Sequence, residues 1–213
     1  VPYFHDSNVI IGYYFQVADT WGQEATTVFE DPEPNHTSTF VWAECFGLES
    51  GGRCTTIQSA IRREFRRVIA ALTREESIET LLTMVQDWRI CSIVRTAASG
   101  VQHDPRRLIT ILRDVHERYQ QECAGRLMRL ENPDVLSVHT RNTPYNDLYR
   151  CLEEYINDPD DIEVILDAHD VAQAIAGLIL WTGDLGHIVA HRQKIVEKTA
   201  IAAVCFLGWK TPV

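Results

Sequence analysis

The stretch Tyr3-Phe4-His5-Asp6-Ser7-Asn8-Val9-Ile10-Ile11 decides how the chain reads. Residues 2–6 are apolar and aromatic and end at Asp6-Ser7-Asn8, so a short strand hands over to the start of a helix. Asp6 then stands at the strand end, between two apolar runs. Carboxylates are rare in such places, because burying an unpaired charge is costly. Three more acids stand in similar surroundings: Glu44 after Phe40-Val41-Trp42-Ala43, Asp167 in Ile165-Leu166-Asp167-Ala168, and Asp184 after Ile179-Leu180-Trp181-Thr182-Gly183. A fold that gathers the four makes an oxygen-only cage for a hard divalent cation.

Residues 19–30 read as a second helix, and Asp31-Pro32-Glu33-Pro34-Asn35 as a loop. A short extended piece leads to Ser38, an N-cap for a helix expected to reach about Leu48, with Glu44 in its second turn. Glu49-Ser50-Gly51-Gly52 breaks the chain. From Thr55 to about Asn157 the pattern reads as helical throughout, with expected helices over 56–72, 75–99, 103–130 and 145–156. Leu108, Ile111, Leu112, Val115 and Tyr119 show the helical spacing. Beyond Asn157 the alternation returns: a helix over 161–176, a buried strand over 178–181, a helix over 187–198 and a strand over 199–207. Alternation at both ends predicts one parallel sheet with helices on both faces, an α/β/α sandwich, because neither end carries enough strands alone. The expected division is a core of residues 1–54 plus 158–213, and a large all-helical segment, 55–157, that is part core and part insertion.

Composition narrows the function classes. The chain has 213 residues and a net charge of −10, which excludes a broad basic coat for nucleic acid but not a local basic groove. No apolar run approaches the roughly 20 residues of a membrane span. The start, Val1-Pro2-Tyr3-Phe4, lacks the basic and long apolar regions of a signal peptide, so a cytoplasmic location is expected. The six cysteines (Cys45, Cys54, Cys91, Cys123, Cys151, Cys205) include no CxxC pair and read as reduced residues of an intracellular protein. Lysine occurs only at Lys194, Lys198 and Lys210. That acidic, lysine-poor balance is similar to that of salt-adapted, halophilic archaeal proteins, and a GC-rich genome favouring Arg codons produces the same bias.

The acids occur in a recognisable order, and on them the chain resembles the PIN-domain nucleases. His5-Asp6-Ser7-Asn8-Val9-Ile10-Ile11 matches the family's opening Asp-x-Asn motif, and Ser38 through Glu44 its Ser…Glu helix. Asp167-Ala168-His169-Asp170-Val171-Ala172-Gln173-Ala174 is similar to the Asp-Ala-x-x-x-Ala-x-Ala helix, and Leu180-Trp181-Thr182-Gly183-Asp184 to the Thr-x-Asp turn. The matches cover about half the chain, residues 1–48 and 160–207. The resemblance implies a catalytic cluster of Asp6, Glu44, Asp167 and Asp184 that holds Mg²⁺ or Mn²⁺ and hydrolyses RNA, leaving 5′-phosphate and 3′-hydroxyl ends. It implies an RNA substrate, and it raises an antitoxin protein and a second copy of the chain, as a homodimer, as candidate partners.

Several residues carry secondary expectations. Asn8 and Thr182 are expected to support the acids. Asp170, three residues beyond Asp167, is either a further ligand or a solvated acid. Arg62, Arg63, Arg66 and Arg67 form i,i+4 pairs that read either as a phosphate-tracking rim for RNA or as a solvated face paired with glutamates. Any one of the acids alone is better explained structurally, an Asp after a strand as a helix N-cap and Glu44 as an exposed helix residue; the four in order reverse that. A non-catalytic PIN-like binding module is the main rival. An HD-type metal phosphohydrolase is the other, suggested by His169-Asp170 with His116 and His139 upstream, although such enzymes are all-helical. His187 and His191 stand at i,i+4 but lack an HExxH glutamate, and read as surface histidines.

Overall fold

Short strands alternating with helices need crossover connections, and these make parallel pairs. In the computed structural model five strands form one all-parallel sheet: β1 (Tyr3–His5), β2 (Asn35–Ser38), β3 (Ser137–His139), β4 (Ile179–Thr182) and β5 (Ala203–Phe206), in the order β3-β2-β1-β4-β5. The structure describes residues 1–16, 20–47, 51–74, 77, 80, 81, 83, 85, 88–99 and 104–208. The helices among them are α1 (Ser7–Phe15), α2 (Gly22–Glu30), α3 (Thr39–Phe46), α4 (Gly52–Thr73), α5 (Trp88–Ser99), α6 (Pro105–Leu130), α7 (Asn146–Glu153), α8 (Pro159–Ala174) and α9 (Arg192–Lys198). The chain is thus α/β, with an arrangement compatible with an α/β/α sandwich. The expected helix starts at Asp19 and His103, the end at Leu48, and much of 75–87 lie outside the described residues.

Burial explains which strands are visible in the sequence. Strands covered on both faces read as continuous apolar runs, and Phe4 of β1 and Leu180 of β4 are fully buried. Strand β2 is equally buried but consists of Asn35, His36, Thr37 and Ser38. Most of its polar groups find partners inside the sheet, although His36 Nε2 is buried without one among the described residues. Asn35 Oδ1 pairs with His5 Nε2 at 2.7 Å, the Thr37 hydroxyl donates to the His5 carbonyl at 2.9 Å, and His36 Nδ1 meets His139 Nε2 at 3.0 Å. The Ser38 hydroxyl accepts from the Val41 N–H at 3.2 Å and caps α3, as expected. Burial pushes His5 down to about 4, partly offset by the Asn35 hydrogen bond, so its imidazole is neutral at pH 7.

Two compact units are present: Val1–Arg53 with residues 127–213, and Cys54–Arg126. The first holds the sheet. The reading of 55–157 as helical throughout is corrected by β3, which pairs with β2. Ser137-Val138-His139 is an edge strand of three residues with Val138 42% exposed, so neither an apolar run nor an alternation marks it. The second unit is helical among the described residues. On α4, Ile61, Phe65, Val68 and Leu72 are buried at helical spacing, which turns Arg62, Arg63, Arg66 and Arg67 outward.

All six cysteines are free, and burial pushes the Cys123 and Cys205 thiols up to about 11, which suits packing and not nucleophilic chemistry. No helix among the described residues is long and apolar enough to cross a membrane. Because Leu180 fills the centre of the sheet, Leu180→Ala is expected to destabilise the protein by about 2–5 kcal/mol. Urea unfolding checks this as a lowered midpoint at unchanged m-value.

Candidate metal centre

In an open parallel sheet, ligand crevices lie outside the carboxyl ends of the strands, where the strand order reverses. Here the chain runs outward from β1 through β2 to β3, then crosses to β4 and β5 on the other side. The reversal falls between β1 and β4. Asp6 follows the last residue of β1, Thr182 ends β4, and the Asp6 N–H donates to the Trp181 carbonyl at 3.1 Å.

The Thr182 hydroxyl joins the two chain ends. It donates to Asp6 Oδ2 at 2.7 Å and accepts from the Asp184 N–H at 2.9 Å. Asp6 is 3% exposed, caps α1 by accepting from the Ser7 N–H, and receives the Asn8 side-chain amide at 3.2 Å. Burial raises the Asp6 carboxyl; the Thr182 hydrogen bond opposes that, and repulsion from Glu44 adds to it. The turn after β4 sits tight against α1: a Cβ on Gly183 would lie 2.9 Å from Asn8 Cβ.

The other acids divide among three places. Asp184 accepts from the His187 N–H at 2.7 Å, and His187 Nδ1 lies 2.8 Å from Asp161 Oδ2 and 3.8 Å from Asp184 Oδ2. Asp161 is pushed up to about 6, first by burial and then, against the His187 hydrogen bond, by the charges of Asp184, Asp158 and Asp6. Glu44 faces Arg53, whose Nη1 lies 2.7 Å from Glu44 Oε1 and 3.0 Å from the Ser7 hydroxyl. Gly52, at φ +57, allows this approach, since a Cβ there would lie 2.4 Å from the Cys45 carbonyl oxygen. Asp167, two turns beyond Asp161 on α8, is 4% exposed and pairs with Arg141 Nε at 3.2 Å; Arg141 also holds Glu163. Burial raises the Asp167 carboxyl, opposed by the neighbouring Ser38 hydroxyl and by the Arg141 charge, and its Oδ2 is buried without a hydrogen-bond partner among the described residues. Asp170 accepts from the Tyr145 hydroxyl at 2.7 Å.

Sequence and structure agree in part on this site. Asp6, Asn8, Thr182 and Asp184 are brought together as expected. No three of Asp6, Glu44, Asp167 and Asp184 approach within 4.8 Å, however; among the described residues the group that does is Asp158, Asp161 and His187. Asp161 connects this group electrostatically to Asp6 and Asp184. Asp158 and Asp161 hide in the sequence because Asp158-Pro159-Asp160-Asp161 reads as a helix start, and Asp158 does cap α8. His187 and His191 do not share a helix face: His187 precedes the 3₁₀ turn Val189–His191, and His191 stands at the N-cap position of α9 without a side-chain capping bond. Two observations count against the HD rival. The chain is not all-helical, and His169 Nδ1 is taken by the Ala200 N–H at 2.9 Å.

These residues fit a hard divalent cation. Carboxylate oxygens dominate, one imidazole stands among them, and three of the acids, Asp6, Asp161 and Asp167, are raised by burial and mutual repulsion that a cation would relieve. Comparison with family models, with curated proteins and with solved structures returns no match for this chain.

Two outcomes are expected. The folded protein holds the Asp161 and His187 protons more tightly than the unfolded chain, since both groups are raised. The contribution of this pair to the stability of the metal-free protein therefore falls as pH rises from about 4 through 7, opposite in sign to that of His5, whose lowered pKa favours the fold as pH rises; the difference between wild-type and Asp161→Asn thermal melts isolates it, and Mn²⁺ restores it at neutral pH. Arg53 occupies Glu44 as a resident cation, so Arg53→Gln should tighten Mn²⁺ binding by up to about fivefold, the equivalent of an exposed ion pair of ~1 kcal/mol, in calorimetric titration.

Proposed function

We propose that the chain is a metal-dependent endoribonuclease of the PIN-like type, a hydrolase acting on RNA phosphodiesters. The observation that carries the reading is the Asp6–Thr182–Asp184 link at the strand reversal, with Asp161 and His187 beside it. The strand order and the polar end of each central strand support the PIN-like fold.

Asp158 and Asp161, with Asp184 and Asp6 next to them, would hold Mg²⁺ or Mn²⁺, with Glu44 and Asp167 as the outer acids of the family pattern. When bound, such a cation supplies a water of lowered pKa and neutralises phosphate charge. The chain's own residues do the positioning. Thr182 holds the Asp6 carboxylate in one orientation, and Asn8 braces its Oδ2. Arg53 orients Glu44. His187, raised by its hydrogen bond to Asp161, holds a proton at the rim of the cluster, where a leaving oxygen would need one. The cytoplasmic and halophilic setting, and a toxin role in which an antitoxin peptide covers the acids, belong to the same proposal.

A non-catalytic PIN-like module is the second reading. It is favoured by the arginines on Glu44 and Asp167, which already give two of the four acids a cation. Cleavage assays separate the two. The wild type should cut RNA with Mn²⁺ or Mg²⁺, stop with EDTA, and leave 5′-phosphate ends. Asp6→Asn should melt cooperatively and lose at least about 100-fold in rate. Equal cleavage by both proteins would sink the enzyme reading.

A further inference from the structure

Charge is divided unevenly between the two units. The chain has 20 Lys+Arg and 30 Asp+Glu; the helical unit Cys54–Arg126 holds 12 of the former and 9 of the latter, which makes it +3. The remaining 8 and 21 leave the sheet unit at −13. The unit that carries the acidic cluster therefore repels a polyanion, and the favourable field belongs to the helical unit.

Within that unit, Ser59, Arg62, Arg63 and Arg66 line a cleft of about 380 Å³ on α4. Arg62 and Arg66 are one turn, about 6 Å, apart along the helix. Among the described residues none of the three arginines pairs with a carboxylate. Arg67 differs, reaching Glu64 at 3.5 Å. With the Gln120 amide turned so that its oxygen faces Arg62, Arg62 Nε lies 3.2 Å from it, a neutral partner that orients the guanidinium without cancelling its charge. His116 packs on Phe65 with ring centroids 4.8 Å apart, and burial, then Arg62 and Arg66, hold its pKa down, so the imidazole is neutral and the cleft's charge is that of the arginines. Exposed, uncancelled guanidinium forks match phosphate oxygens bidentately.

We propose that this cleft binds the sugar-phosphate backbone of single-stranded RNA through Arg62, Arg63 and Arg66. The choice of RNA rests on the nuclease reading above. The contacts are to phosphate, so they confer affinity without sequence preference. The arginine rim expected from the sequence thereby divides: Arg62, Arg63 and Arg66 face the ligand, and Arg67 belongs to an ion pair.

The test is fluorescence anisotropy of the full chain with a labelled single-stranded RNA in EDTA, which removes cleavage. Three phosphate contacts give a slope of log K against log salt of about −2. R62Q/R63Q/R66Q should lose that slope and bind about 10- to 100-fold more weakly at about 50 mM salt. R62K/R63K/R66K keeps the charge and should keep the slope, which excludes misfolding as the cause. Unchanged affinity and slope in the glutamine variant would overturn the proposal. So would a wild type that binds no RNA but sediments as a dimer dissolved by the glutamine variant, because the cleft then meets the acidic unit of a second copy. The two readings fail separately: Asp6→Asn should bind RNA as the wild type does. Arginine-dependent binding without wild-type cleavage removes the nuclease reading alone.

Discussion

One hydroxyl ties the two ends of this chain into a single site. Thr182 donates to Asp6 and accepts from Asp184, so it fixes both acids at once, and its own burial makes the arrangement stiff. Both bonds depend on β1 and β4 lying side by side, which the register Tyr3↔Ile179, Phe4↔Leu180, His5↔Trp181 secures. The apolar packing of Phe4, Leu180 and Ile10 holds that register. The hydrophobic core and the polar cluster are thus one construction: the core sets the strand ends, and the strand ends set the carboxylates.

Helix α8 shows how a single element distributes acids. Asp161, Asp167 and Asp170 lie on one helix but point to different partners: His187, Arg141 and Tyr145. A helix turns about 100° per residue, so residues six apart fall on different faces. Asp161 looks toward Asp184 and Asp6, and Asp167 toward the end of β2, where Ser38 stands. Arginines meet Glu44 and Asp167, while Asp6 has only hydrogen-bond donors and Asp161 an imidazole. Burial raises the Asp6, Asp161 and Asp167 carboxyls alike, and repulsion from neighbouring acids adds to the rise at each; at Asp167 the Arg141 charge opposes it.

The uneven charge of the two units gives the proposed chemistry a physical division of labour. An acidic cluster suits a cation and repels a phosphodiester. A separate basic helical unit supplies the attraction the cluster lacks, and the arginines that do so are those without carboxylate partners.

Much of this architecture is legible in the residues alone. Apolar strands β1, β4 and β5 and the caps at Asp6 and Ser38 follow from patterns of three to nine neighbouring residues, because burial on both faces and helix capping are local demands; the grouping of Asp6 with Asp184 follows only from the family resemblance. Strand β2 is buried yet wholly polar, and β3 is an exposed edge of three residues, so neither leaves a hydrophobic trace. The pairing of His187 with Asp161, and of Arg141 with Asp167, depends on side chains that approach from distant elements. Which carboxylate meets a guanidinium, which meets an imidazole and which keeps an unpartnered oxygen is decided by helix rotation and packing, and those are properties of the folded chain.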